Sequence, residues 1–260
     1  MTADLLPTLA LAAGFVAAAV ALVLATYSVT RRFGARGLSG DGAGEARDLS
    51  GSVMFRISAL HGLILALVFA QLLGDYREIQ GELVVEASAV ADLYNDFARH
   101  GGAGTAARQA LMVDYARTVA EVEWPALGEG YAPGGRGWAV WGAAYEAVLD
   151  LPAATPREVA LRVHMLEAAH RIAEMRDRRA VHGLHGLAGL FWIAAVAGTV
   201  LIAATWFTFP PRRRNLMLMA CFGAFTGLIL FFIHAFSNPF AAPGALQPVA
   251  MERFLAAVAG

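Results

Sequence analysis

Four carboxylates, Asp75, Glu78, Glu82 and Glu86, stand three, four and four residues apart, the spacing that sets side chains on one face of a helix. Like charges so placed repel by a few tenths of a kcal/mol per pair, so the stripe needs basic partners or a task. A vestibule that collects cations is one task. The competing reading is a solvated face paired with Arg77, Arg99 or the arginines Arg171, Arg176, Arg178 and Arg179. Histidines form the second set: His182 and His185 share a face, and with His234 they are weak candidates for haem or metal ligation. The lone Cys221 lies in an apolar run and supplies no thiolate, so no metal and no cofactor is expected, and hydrogen bonding is the plainer role. His164 and His170 are six apart, share no face and read as surface or packing residues. Arg56 and His61 lie inside an apolar segment, where polar groups are functional candidates by default. Arg56 either snorkels to the interface or draws anions to a pore mouth.

Enzyme chemistry finds no constellation. Glu121 and Glu123, two apart, point to different sides of a helix and make no carboxylate pair. No Ser-His-Asp order, zinc motif or glycine-rich phosphate loop is present. The expectation is a protein that is not an enzyme.

The elements that must hold these residues follow from composition. The chain is 58% hydrophobic and 16% charged over 260 residues, with a mean hydropathy of +0.54, which marks a membrane protein. Its 20 basic residues are all arginine against 21 acids, and no clustered basic excess suits nucleic acid. Four segments, 5–29, 53–73, 184–209 and 216–237, are long enough to cross a bilayer. The first carries Asp4 before it and Arg31 and Arg32 after it, the reverse of a secretory signal, and reads as a retained helix. No Asp or Glu lies within a span, which argues against proton- or sodium-coupled transport. Arg31, Arg32, Arg36 and Arg47 fall in the first short loop and Arg212 to Arg214 in the second, so both loops are expected in the cytoplasm. The middle segment and both termini are then periplasmic, on an inner (plasma) membrane.

Between spans two and three the pattern is helical. The second span continues to about Arg99, with Val85, Val90, Leu93 and Phe97 as its apolar stripe, until Gly101 and Gly102. A helix over 104–124 is expected to stop at Pro125, and Gly128 to Gly137 reads as a loop. A short helix follows over 138–149. Thr155-Pro156-Arg157-Glu158 is a helix start with a capping box, and the pattern then runs unbroken to Phe209. The fold class is all-α: a polytopic membrane protein with four transmembrane helices and an extramembrane helical bundle. The parts are 1–74, 75–183, 184–237 and an amphipathic tail, 238–260, suited to the bilayer surface. Phe231, Phe232, Phe236 and Phe240 at the end of span four face lipid or neighbouring helices, or form an aromatic constriction.

Glu86 to Tyr94, Tyr115 with Glu123, Trp124 and Pro125, and Asn238, Pro239 and Phe240, together with the span layout, resemble a bacterial membrane family known as domain of unknown function 4239, also called bestrophin-like. That family usually has Asp where this chain has Asn238. The resemblance implies an oligomeric, anion-conducting channel with its insert in the cytosol, opposite to the arginine distribution. The leading expectation is a homo-oligomeric ion pore or its gating subunit in the lipid bilayer, with Arg56 and His61 near one mouth and Glu78, Glu82 and Glu86 near the other. Its rivals are a non-enzymatic scaffold that docks a protein partner on the bundle and, more weakly, a haem or metal protein using His185 and His234.

Orientation is open to direct measurement. In a Cys221→Ala background, Gly134→Cys is expected to react with an impermeant thiol reagent in intact spheroplasts. Labelling confined to lysed cells would place the bundle in the cytosol.

Overall fold

The computed structural model describes residues 5–34, 42–184 and 189–260. Arg36 and His185 lie outside the described residues, as does the stretch 185–188 on which the expected unbroken run to Phe209 depends. All regular structure among the described residues is helical, as the periodicity requires. The helices are α1 (Leu5–Gly34), α2 (Gly42–His100), α3 (Thr105–Thr118), α4 (Trp124–Gly128), α5 (Gly135–Leu149), α6 (Pro156–Leu184), α7 (Gly189–Thr205), α8 (Arg213–Phe236) and α9 (Val249–Ala259). α1, α2, α7 with the 3-10 turn that follows it, and α8 are long and apolar enough to cross a membrane. The protein is a membrane protein.

Local chemistry sets the boundaries. α2 is free of proline throughout and ends where Gly101 and Gly102 adopt φ of 73° and 87°, left-handed values that glycine accepts without strain. α6 begins with the capping box: Glu158 N–H donates to Thr155 Oγ1 (3.2 Å), and Glu158 Oε2 accepts from the Thr155 and Ala154 N–H groups (2.9 Å each). The Thr155 N–H holds the Glu158 carboxyl below its ordinary range. Pro125 does not stop the second bundle helix as expected. A π-helical turn, Val119–Glu123, precedes it, and Pro125 sits in the first turn of α4. The widened turn removes the clash between the proline ring and the carbonyl one turn back, so the chain stays helical to Gly128.

The chain divides into two compact units, residues 1–73 with 187–237 and residues 74–186 with 238–260. In the first, α1 lies closest to α8. Gly223 and Gly227, four apart, let them meet: a Cβ on Gly227 would stand 2.6 Å from Phe15 O and 2.7 Å from Val16 Cα, and one on Gly223 2.9 Å from Val20 Cα. Small residues at this spacing are the usual means of close packing in lipid, where hydrophobic burial gives no drive. Arg31 donates to Phe207 O (2.9 Å) and Phe209 O (2.7 Å), and Tyr27 also donates to Phe209 O (2.9 Å). These donors satisfy carbonyls that follow α7, where a positive charge is favoured.

The second unit has a core from α2, α3, α5, α6 and α9. The apolar side of α9 enters this core through Met251 and Phe254, and Phe254 meets Tyr94 edge-on at 5.6 Å.

Because the atoms facing Gly227 are backbone, Gly227→Leu is expected to force α1 from α8 and lower the thermal midpoint in detergent by roughly 1–3 kcal/mol equivalent. Gly14→Ala, whose Cβ meets nothing within 4 Å, is the control and leaves it unchanged.

Candidate functional site

In the second unit, the buried positions of α2 include Ile79, Leu83, Glu86, Val90, Leu93 and Phe97, alternating four and three apart. Val90, Leu93 and Phe97 of the expected stripe are buried, but Val85 is 41% exposed and Glu86 takes the core position in its place. α6 does likewise, burying Met165, Ala168, Ile172, Met175 and then Arg176 and Arg179. Three charged side chains thus stand where periodicity calls for apolar ones, and Glu123 joins them from the π turn.

These four charges close on one another. Glu86 accepts from Tyr115 Oη (2.6 Å) through Oε1 and from Arg179 Nη1 through Oε2. Arg179 Nη2 donates to Glu123 Oε2 (2.9 Å), and Arg176 Nη1 donates to the same oxygen (2.5 Å). Arg176 Nη2 also reaches Gly134 O (3.2 Å), and its guanidinium lies 5.1 Å from the centre of the Trp138 ring, within cation–π range. No side chain of the four is more than 2% exposed. Two positive and two negative charges cancel, as burial demands. Burial disfavours the Arg179 cation, but the Glu86 carboxylate overrides it and holds the guanidinium above its ordinary value. Burial and then Glu86 push the Tyr115 hydroxyl well up, so it stays a donor. Gly137 provides the room, since a Cβ there would strike Arg176 Nη1 and Glu123 Oε1.

The other residues of the resemblance gather beside this cluster. Trp124 packs edge-on against Phe240 (4.8 Å), and its Nε1 donates to Leu246 O (2.7 Å). Asn238 Oδ1 accepts from Phe240 N (2.9 Å), while Nδ2 donates to Leu127 O and Gly128 O (3.3 Å each). Only an amide can do both; an aspartate would point a carboxylate at two carbonyls. Pro239 is buried, and Pro125 is exposed. A smaller buried carboxylate, Asp96, accepts from Arg99 Nη1 (2.6 Å) and pairs with His164 Nδ1 (2.7 Å). His164 is a surface residue, as expected, and its tie to Asp96 adds a partner that spacing did not indicate.

The remaining candidates are dispersed. Arg56 is exposed on α2. His61 is 6% exposed; it lies against Gly198 of α7, with its Nε2 3.5 Å from Thr199 Oγ1. Asp75 is half-buried and Glu78 exposed. Glu82 is buried, 3.6 Å from Arg178 and 3.8 Å from His182. His234 is exposed beside Phe15 and Trp192 (5.3 and 6.4 Å). The acid stripe therefore meets several different surroundings. Sequence reasoning singled out Glu86 through the acid stripe and the resemblance, and offered Arg176 and Arg179 as partners of that stripe on a solvated face; it did not foresee that Glu86 and these two arginines are buried, or that Tyr115 and Glu123 join them. The signal was a pair of arginines three apart continuing an apolar stripe. Chemically the cluster balances its charges and shields them from water, although Glu123 Oε1, Arg176 Nε and Arg179 Nε make no hydrogen bond, and this suits a structural lock.

Arg179→Met leaves Glu86 with Tyr115 alone and is expected to destabilise by about 3–5 kcal/mol in thermal or denaturant unfolding. Adding Glu86→Met recovers much of the loss, because no buried charge then lacks its partner. Glu82 gives a pH dependence. Burial raises its carboxyl above the ordinary 4.5, with His182 and Arg178 opposing. The folded protein therefore binds the extra proton between 4.5 and the raised value, and stability falls as pH climbs through that window. In chelator-treated protein, Glu82→Gln is expected to flatten that fall in melting curves at successive pH values.

No curated protein matches the sequence. The fold matches two crystal structures of a bacterial bestrophin homolog from Klebsiella pneumoniae, each of a substituted form. One aligns with a TM-score of 0.60 at 12% identity, covering 94% of this chain and 99% of that one. The other aligns with a TM-score of 0.57 at 13% identity, covering 94% and 98%. A family model for the Bestrophin-like domain matches residues 17–251. With that match spanning both units and every residue of the buried cluster, the chain belongs to the Bestrophin-like family.

Proposed function

We propose that the protein is the subunit of a homo-oligomeric ion channel of the bacterial inner membrane, within the branch known as domain of unknown function 4239, and that it is not an enzyme. The observation that carries this reading is the extent of the likeness: nearly the whole of a bestrophin homolog's chain is matched. Four spans in one subunit leave little room for water beside their own packing, so the path lies between copies around an axis. α2 supports this reading. Arg56, Leu60, Leu63 and Leu67 recur four, three and four apart and are all exposed, and the same spacing continued along the helix passes exposed Gln71 and Gly74 before it reaches exposed Glu78. A charge at either end of an apolar stretch is the pattern of a pore that selects at its mouths and gates by dewetting between them. His61, on the covered side of α2, then supports the wall from behind, and Glu86 holds the bundle in register. The arginines of the two short loops favour a periplasmic bundle, and the opposed arginines Arg176 and Arg179 are already neutralised by Glu123 and Glu86.

Light scattering of the purified complex, corrected for detergent, is expected to give a closed ring of four or more copies. Reconstituted vesicles should then pass ions above the empty-vesicle rate, and Arg56→Gln should shift the cation-to-anion permeability ratio several-fold toward cations. A monomer or dimer, or absent flux from assembled protein, would move the assignment to an accessory subunit whose bundle docks a partner.

A further inference from the structure

Apart from the closed cluster, the second unit holds a group of titratable side chains with unfinished chemistry. Glu78 and Glu82 lie one turn apart on α2, and His182 comes from the last turn of α6. One ligand atom from each lies within 4.8 Å of the others. With Asp177, Arg178 and Val181 they line a cavity of about 300 Å³.

Glu82 is the anomaly. Its side chain is nine-tenths buried, yet neither carboxylate oxygen makes a hydrogen bond. Arg178 at 3.6 Å and His182 at 3.8 Å are its nearest basic side chains, too far for charge-assisted hydrogen bonds. Arg178 is already held by Glu174 at 2.6 Å. A desolvated carboxylate left with such loose partners is uncommon. A dication between it and its neighbours would supply what is missing.

We propose that Glu78, Glu82 and His182 bind one divalent transition-metal ion of the zinc type, fastening α2 to α6. Two carboxylate oxygens and one imidazole nitrogen, with water in the open position, form a donor set suited to such ions. Metal–ligand bonds of about 2.0–2.2 Å need ligand atoms no more than about 4.4 Å apart. Glu78 is exposed and His182 is half-buried, so both can rotate to close on Glu82, which burial fixes. Arg178 then falls back on Glu174, and Asp177 is placed to receive a metal-bound water.

Zinc titrated into chelator-stripped, full-length protein tests this by calorimetry and thermal unfolding. The expected result is one ion per chain with micromolar or tighter affinity, and a melting point raised by about 5 °C at saturation. Glu82→Gln and His182→Gln are each expected to weaken that binding about 30-fold or more, while Arg178→Gln leaves it intact or stronger. Calcium, which prefers an all-oxygen site, should raise the melting point far less. Three results would overturn the site: no stoichiometric zinc, zinc affinity untouched by both substitutions (binding at other histidines such as His100), or calcium equal to zinc. If His182→Gln fails to fold, Glu78→Gln carries the test at an exposed position, and unchanged affinity there overturns the site as well.

Discussion

A charge taken out of water must be met by an opposite charge and by hydrogen bonds, and the second unit is arranged around that constraint. Glu86, Glu123, Arg176 and Arg179 come from three separate stretches of chain, and none of them is stable in the interior without the others. Their mutual demands fix geometry that apolar packing would leave loose. A Leu or Val in a stripe tolerates a slide of part of a turn; a carboxylate accepting from Tyr115 and Arg179 together does not. The π turn that carries Glu123 and the absence of a side chain at Gly137 are local departures that this one arrangement requires. Ion pairs of this kind add little net stability over a well-packed apolar core, so specificity of register is the better account of their presence.

The first unit meets the opposite problem. Its helices present apolar faces that lipid would cover as well as protein does, so hydrophobic burial cannot tell one pairing from another. Contact at close range decides instead. Gly223 and Gly227 let α8 reach the backbone of α1, and Gly198 accepts the His61 ring. Arg31 and Tyr27 converge on Phe209 O, so these polar groups satisfy backbone beyond α7 and leave their charge less free than a count of loop arginines suggests.

The division between what the sequence shows and what it hides follows from these two kinds of constraint. Spans, helix starts and the all-α class are legible because hydropathy, proline, and the Thr155 capping box act locally. The cluster is not legible, because periodicity marks a core face but assumes its members are apolar. Spacing accordingly groups Glu86 with the acids of its own helix on a solvated face, whereas Tyr115 and Arg179, 29 and 93 residues away, hold it in the core. Pro125 misled for a related reason: a proline stops a helix of regular pitch, and nothing local announces a π turn. Asn238 shows the same limit in reverse. Set against an expected aspartate it reads as a lost carboxylate, whereas the amide donates to two carbonyls and accepts from a third group.

The acid stripe shows how far a charge count departs from the charge an ion would meet. Four carboxylates at helical spacing look like a concentrated negative surface. Glu86 contributes nothing to it, because Arg179 cancels its charge within the core. Glu82 is desolvated and loosely balanced, and it carries the strongest demand for a counter-charge. Glu78 is exposed and screened by water. The field at this face is therefore set largely by these two side chains and by whatever stands between them, whether Arg178 or a metal ion. A bound dication would turn the face from negative to near neutral without moving a helix, so the occupancy of that cavity, more than the number of acids on α2, decides how this part of the protein appears to passing ions.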